Sequence, residues 1–300
     1  MKVDDVQVIE GMENEAYHAA EGISASGLKL IGRSPLHYWS RYIDPNREPQ
    51  EETPALRLGT AIHTAVLEPA RFAAEYVVVP YGAPRRPTLT QLNAKKPSDD
   101  TVASIAWWQQ FDKENEGKTI LSIDDHATCM AISERLRHHP AASVLFRTGV
   151  AETSMFWTDP ETGVLCKCRP DWLIKGMAIL DVKSTTDAGA EPFSRSVYNY
   201  EYHMQAAWYL DGVRHCLGAD GPQAFIFAAF EKEAPHAPAF YSADGEMISI
   251  GRRLYKRRLQ IYAECKSKDF WPGYPAGITS LSLPAWAVKA ANDNEPGATA

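Results

Sequence analysis

Acidic and basic side chains brought together at strand ends can hold a metal ion and handle a water, and one stretch of this chain has that composition. Pro170-Asp171 is followed ten residues later by Asp181-Val182-Lys183. Met177-Ala-Ile-Leu-Asp-Val-Lys reads as a strand that begins apolar and finishes charged, so Asp181 and Lys183, two apart, project from one face. Asp171 closes the preceding strand-like run and can bring its carboxylate beside Asp181. Two convergent carboxylates make a hard-oxygen site suited to Mg²⁺ or Mn²⁺. A lysine next to them can orient or deprotonate a water, or offset charge on a phosphorane, and metal-assisted phosphodiester hydrolysis requires that combination. An acid two before a lysine is also what a surface ion pair at a strand end looks like. The chain has a second such pair, Glu264-Cys-Lys266, at the end of a helix with no Pro-Asp strand before it, and that one reads as solvated. Context separates the two: a hairpin precedes the first, Ala178-Ile-Leu runs into its acid, and Ser184-Thr185 follows.

The elements that must position these groups are legible around them. Ala151–Trp157 alternates like a strand, Asp159–Gly163 is a turn, and Val164–Arg169 is a second strand, which makes a β-hairpin. Ala55–Leu67 reads as a helix with Leu56, Gly59, Ile62, His63 and Val66 on one side, ended by Pro69. A lone histidine on such a face is ordinarily a core residue. Ser24 caps a short helix, and Pro35 begins another carrying Tyr38, Trp39 and Tyr42. Residues 75–79 form a strand, helices follow at 100–116 and 124–138, and Val197–Cys216 is a single helix rich in Tyr and Trp. Gln223–Phe230 is a buried strand, 239–241 a short one, and Asp244–Lys266 a long helix. Four prolines with Arg85-Arg86 and Lys95-Lys96 make 80–100 a mobile basic loop. Residues 1–21 read as an arm, 22–276 as the domain, and 277–300 as a tail, disordered over 290–300. Strands lie between helices without strict alternation, which predicts an α/β fold with a mixed sheet.

Taken together, Leu58-Gly-Thr-Ala-Ile-His63, Arg169-Pro-Asp171, Asp181-Val-Lys-Ser-Thr185 and Tyr202-His-Met-Gln205-Ala-Ala-Trp-Tyr209 resemble the PD-(D/E)xK nuclease superfamily, with Asp in its second acidic position. Within it they look most like the RecE-type exonuclease domain (exodeoxyribonuclease VIII) of prophages, over roughly residues 22–275. The resemblance implies a restriction-endonuclease-like core with an N-terminal helical region bearing His63. It implies metal ligation by Asp171, Asp181, His63 and the Val182 carbonyl, with Lys183 positioning the attacking water. Gln205 would steady the site, Tyr209 would face DNA or core, and Glu152 would join the metal shell or hydrogen-bond the water. The implied activity is a Mg²⁺-dependent, processive 5′→3′ exonuclease on linear double-stranded DNA, feeding a single-strand annealing protein in recombination. Ring-like homo-oligomers go with it, a tetramer in RecE-type enzymes and a trimer in the related lambda exonuclease. A RecB- or Cas4-like nuclease shares the acids, but Cas4 enzymes usually carry a cysteine cluster that is absent here. A catalytically dead DNA-binding or scaffold protein would be expected to lose an acid or the lysine, and all are present.

Charge and composition limit the alternatives. The formal net charge is −7, from 31 Lys+Arg against 38 Asp+Glu, which speaks against a protein that coats DNA with its whole surface. It leaves room for a local cleft set by a few cations. The 80–100 loop, with Arg85, Arg86, Lys95 and Lys96, is the expected DNA-contacting element. Five basic residues within Arg252–Arg258 flank a stripe of Leu254, Tyr255, Leu259 and Tyr262; a solvated face, a phosphate-tracking surface and an intersubunit surface all fit them. The five cysteines are scattered without a C-x-x-C pair, which argues against a disulfide framework, structural zinc or a Cys-ligated cluster. No apolar run nears the roughly 18 residues of a membrane span and no secretory h-region is visible, so a cytoplasmic protein is expected, and the resemblance implies a bacterial or phage-encoded one.

Overall fold

The computed structural model describes residues 6–48 and 53–293. Strand β1 (Gln7–Ile9) leads into helices α1 (Asn14–Ala19), α2 (Ala25–Arg33), α3 (Pro35–Tyr42), α4 (Pro54–Leu67) and α5 (Pro69–Glu75). Strands β2 (Tyr76–Val78) and β3 (Thr119–Leu121) bracket α6 (Leu89–Leu92) and α7 (Asp99–Glu114), and α8 (Ile123–His138) and α9 (Pro140–Leu145) follow. Next come β4 (Val150–Ala151), β5 (Ser154–Thr158), β6 (Leu165–Cys168), β7 (Trp172–Ile174) and β8 (Ala178–Thr185). Helices α10 (Ala190–Asn199) and α11 (Tyr202–Leu217), strands β9 (Ala224–Glu231) and β10 (Pro238–Ser242), and helices α12 (Gly245–Lys268) and α13 (Ala285–Asp293) complete the order.

The main sheet has the order β10-β9-β8-β7-β4 and is mixed: β8 and β9 run parallel, the other pairs antiparallel. Because side chains alternate along a strand, β8 feeds two cores. Ile179, with Leu173, Phe225 and Phe227, packs against Leu28, Trp208 and Tyr255 from α2, α11 and α12. Val182, with Ala228 and Phe230, packs against Ile62, Val66, Ile132 and Leu136 from α4 and α8. Helices therefore cover both faces, as expected of the α/β class. At the α11–α12 crossing a Cβ on Gly251 would lie 2.0 Å from the His203 carbonyl oxygen, so the two backbones meet there as only glycine permits.

The expected hairpin is β5–β6, its turn made at Gly163 with φ +68°. It joins β1 in a separate three-stranded sheet of order β1-β5-β6. Of the stretch read as an arm, residues 7–20 are thus built into the fold, and 1–5 lie outside the described residues. Tyr17 is buried, and the Lys167 ammonium donates to the carbonyls of Tyr17 (2.9 Å) and Ala20 (2.6 Å). Backbone acceptors of this kind leave no trace in composition. The helix expected over 197–216 is two helices, broken where Glu201 takes a left-handed φ of +55° and gives both carboxylate oxygens to Arg258 at 2.5 and 2.6 Å. In the 80–100 loop, Arg86 lies 4.1 Å from the Trp108 ring centre and pairs with Asp112 at 2.7 Å, while Trp108 donates to the Pro84 carbonyl. That end of the loop is fastened to α7 and not mobile by construction. Of the tail expected to be disordered, 290–293 finish α13 and 294–300 lie outside the described residues.

Candidate active site

Each acid is placed by its strand end. Glu152 sits between β4 and β5, where the chain leaves the main sheet for the smaller one, and its φ of +50° makes the bend. A residue with a Cβ pays of order 1 kcal/mol for that conformation. Arg169, which is buried, holds it there: its Nε lies 2.6 Å from Glu152 Oε2 and 3.1 Å from the Glu152 carbonyl oxygen. The Glu152 N–H donates to the Asp171 carbonyl at 3.1 Å, which aligns the two acids across neighbouring chain segments. Asp171 is fixed in turn by the Val182 N–H, which donates to its Oδ2 at 2.7 Å. In a strand the N–H and C=O of one residue share an edge, so the Val182 carbonyl points to the same side. His63 reaches in from α4, its Nδ1 3.7 Å from Asp171 Oδ2. One donor atom from each of His63, Glu152 and Asp171 lies within 4.8 Å of the others.

Asp181 and Lys183 share the face of β8 that looks toward α11. Asp181 is wholly buried; Gln205 Nε2 donates to its Oδ1 at 3.0 Å. Its Oδ2 forms an ion pair with Lys183 but has no well-formed hydrogen bond. Lys183 is also held 4.7 Å from the centre of the Tyr202 ring. Burial raises the Asp181 carboxyl to about 6, against the opposing pull of Lys183, with Asp171 adding to the rise. Burial and the Asp171 charge raise Glu152 to about 8 although Arg169 works against them. For Lys183 burial favours the neutral amine, but the Asp181 and Asp171 carboxylates outweigh it and hold the ammonium above its ordinary range. The cluster sets the carboxyl groups of Glu152, Asp171 and Asp181 against two cations, Arg169 and Lys183.

Tyr209 does not stand out into solvent. Burial raises its hydroxyl well above the usual range, and its ring meets Phe225 edge-on at 6.4 Å. It lines a cavity of about 650 Å³ with Gln205, Glu152, Lys29, Lys167 and Arg169. A second cavity, of about 750 Å³, is walled by His63 and Thr60 and by Glu13, Glu15, Glu68 and Glu75, and it shares Glu152 and Arg169 with the first. Arg85, Arg86, Lys95 and Lys96 line neither cavity, so the structure does not bring the expected basic loop to the acids. On α12, Arg252 is gripped by Asp211 (2.6 and 2.7 Å), Lys256 by Glu161 and Arg258 by Glu201, which makes three of that run's cations structural. Lys29, Arg169 and Tyr202 were missed as site residues. Arg169 and Tyr202 stand inside the motif blocks, whereas nothing near Lys29 in sequence marks it.

The PDDEXK-like domain of unknown function (DUF3799) matches residues 24–282, most of the chain. The chain belongs to this family. A DUF3799 domain lies in the PD-(D/E)xK superfamily, which agrees with the expected fold; it does not single out the RecE type. Among solved structures the chain is similar to a "putative exonuclease" from Eubacterium rectale, with a TM-score of 0.58 and 13% identity over 93% of this chain and 98% of that one. That likeness concerns the fold. A second structure, of SSO0001, aligns with a TM-score of 0.27 and 15% identity over 69% of this chain and 91% of that one. No curated protein matches.

Proposed function

We propose that the chain is a divalent-metal-dependent deoxyribonuclease. The observation that carries this is the convergence of His63, Glu152 and Asp171 within 4.8 Å beside the buried Asp181–Lys183 pair. The donor set fits a hard cation: carboxylate oxygens and one imidazole, with the buried Asp181 carboxylate, held by Lys183 and Gln205, alongside. His63, Glu152, Asp171 and Asp181, with the Val182 carbonyl beside them, would hold Mg²⁺ or Mn²⁺, which when bound supplies charge neutralisation at a phosphodiester. Lys183, clamped between Asp181 and the Tyr202 ring, holds a water by its ammonium at the edge of the acids. Gln205 fixes the Asp181 carboxylate plane, and Arg169 fixes Glu152. Digestion of end-labelled linear duplex and closed circular DNA, with Mg²⁺ and with EDTA, tests the reading. Linear DNA should be degraded with Mg²⁺ alone, and Asp181→Ala digesting at the wild-type rate would refute it.

The motif blocks support a finer reading: a processive 5′→3′ exonuclease on linear double-stranded DNA, a homo-oligomer, tetramer favoured over trimer, that hands its product to a single-strand annealing protein. At net charge −7 the surface attracts phosphates weakly, so sustained digestion calls for enclosure of the DNA. Labels at the 5′ and 3′ ends distinguish the polarity. Light scattering during size exclusion should give a multiple of the chain mass, and a monomer that outlasts a competitor trap would remove the ring. No helix among the described residues is long and apolar enough to cross a membrane.

A further inference from the structure

Lys29, on α2, is half-buried with its ammonium 5.2 Å from the centre of the Tyr202 ring. Lys183 approaches the same ring at 4.7 Å. Lys183 is balanced by Asp181; Glu201, the other acid that acts on Lys29, is taken by both nitrogens of Arg258. Among the described residues Lys29 has no ion pair and no hydrogen bond. A half-buried cation beside another cation is costly unless an anion joins it. Burial and Lys183 accordingly lower the Lys29 ammonium to about 8.

Tyr202 connects this cation to an aromatic step on the surface. The Tyr200 ring stacks on Tyr202 at 5.6 Å with an interplanar angle of 28°, and Tyr200 is 61% exposed. The two cavities that meet at Glu152 also differ in charge. Beyond the shared Glu152 and Arg169, the one that Lys29 lines has Arg47, Lys167 and Lys266 against Glu21; the other has Glu13, Glu15, Glu68 and Glu75 against Arg71. A polyanionic strand is drawn to the first and repelled by the second.

We propose that Lys29 and Tyr200 bind an unpaired stretch of the substrate strand, the ammonium on a phosphate and the ring on a base. This rests on the nuclease reading and deepens it by naming the form of DNA that reaches the acids. A base offers a free π-face to Tyr200 only where it is unstacked, so a duplex end opens before its phosphodiester arrives at Asp181. The Lys29 side of Glu152 is then the strand's path.

The test is binding of fluorescein-labelled dT12, followed by anisotropy in EDTA, compared with a blunt hairpin whose end is cross-linked against fraying. Tyr200→Ala should weaken dT12 binding roughly 5- to 100-fold, the range for one lost base stack, with Tyr200→Phe retaining it and the cross-linked hairpin indifferent. Lys29→Met should reduce the slope of log affinity on log salt by about 0.7, one single-strand phosphate, and Lys29→Arg should restore it. A purely structural Lys29 would not move that slope. If Tyr200→Ala and Lys29→Met bind dT12 as the wild type does, while the wild type hydrolyses DNA, this inference fails and the nuclease reading stands. A wild-type protein that neither binds nor hydrolyses any DNA overturns both.

Discussion

Replacing Lys183 with Met should destabilise the protein in a way that depends on pH, because the residue it abandons is a wholly buried carboxylate. Asp181 has its carboxyl raised from the usual 3.8 to about 6, even with Lys183 beside it. Between those values the folded chain holds the proton more tightly than the unfolded one, so wild-type stability falls as pH rises through the window. The loss amounts to about 3 kcal/mol at about 1.4 kcal/mol per unit. Without the lysine the carboxylate keeps only the Gln205 hydrogen bond, and a buried charge stripped of its partner costs about 3–5 kcal/mol. Lys183→Met should therefore lose that much at pH 8, and under about 1 kcal/mol at pH 5, where Asp181 is protonated and needs no counter-charge. Asp181→Asn combined with Lys183→Met should recover most of the loss at pH 8, since the amide fills the same space uncharged. Urea unfolding in EDTA, read by the fluorescence of the buried Trp157 and Trp208, measures the wild type, Lys183→Met, Asp181→Asn and the double variant. A cost equal at both pH values, or single effects that simply add, would show that Lys183 is not the counter-ion of a buried Asp181.

Three further outcomes are expected. His63→Ala should fold with stability within about 1 kcal/mol of wild type by thermal unfolding, its side chain being 34% exposed, yet lose nuclease activity that excess Mn²⁺ partly restores; a mutant that unfolds would return His63 to the core. Gly251→Ala should cost roughly 3 kcal/mol in urea titrations, because its Cβ would meet backbone at 2.0 Å and α11, which carries Gln205, would have to shift; an unchanged midpoint would refute the crossing. With Ca²⁺ in place of Mg²⁺, gel shifts should show DNA bound while end-labelled DNA stays intact, since the looser coordination of the larger ion places a water poorly; full-rate cleavage in Ca²⁺ would contradict the hard, compact site.

The part of the site that could be read from sequence is the part written in short-range periodicity. Asp181 and Lys183 are two apart on one strand, whereas His63 and Gln205 entered through the resemblance of their motif blocks, helical spacing alone leaving His63 a core residue. The fold class followed from the same patterns, and the Ser24 and Asp244 caps sit where the helices begin. What stayed hidden depends on long-range hydrogen bonds. Strands β1, β4 and β7 have two or three residues each, too few to show a period, and only their partners make them strands. The break at Glu201 is set by Arg258 from α12, 57 residues on. The contacts of Arg86 with Trp108 and Asp112 on α7 were hidden likewise, because charge in a proline-rich loop gives no hint of them.

The N-terminal strand also sets an order of events. Residues 7–9 pair with residues 154–156, and the carbonyls of Met12 and Tyr17 wait for the cations of Arg169 and Lys167. Contacts so distant along the chain form late, because the intervening segment must be closed first. During synthesis residues 7–9 have no strand partner until some 150 more residues have left the ribosome, by an order-of-magnitude reckoning from that spacing. The wall they give to both cavities forms only once β5 and β6 are there to hold it. The first cavity also waits for α11 and α12, which bring Gln205, Tyr209 and Lys266 to its wall.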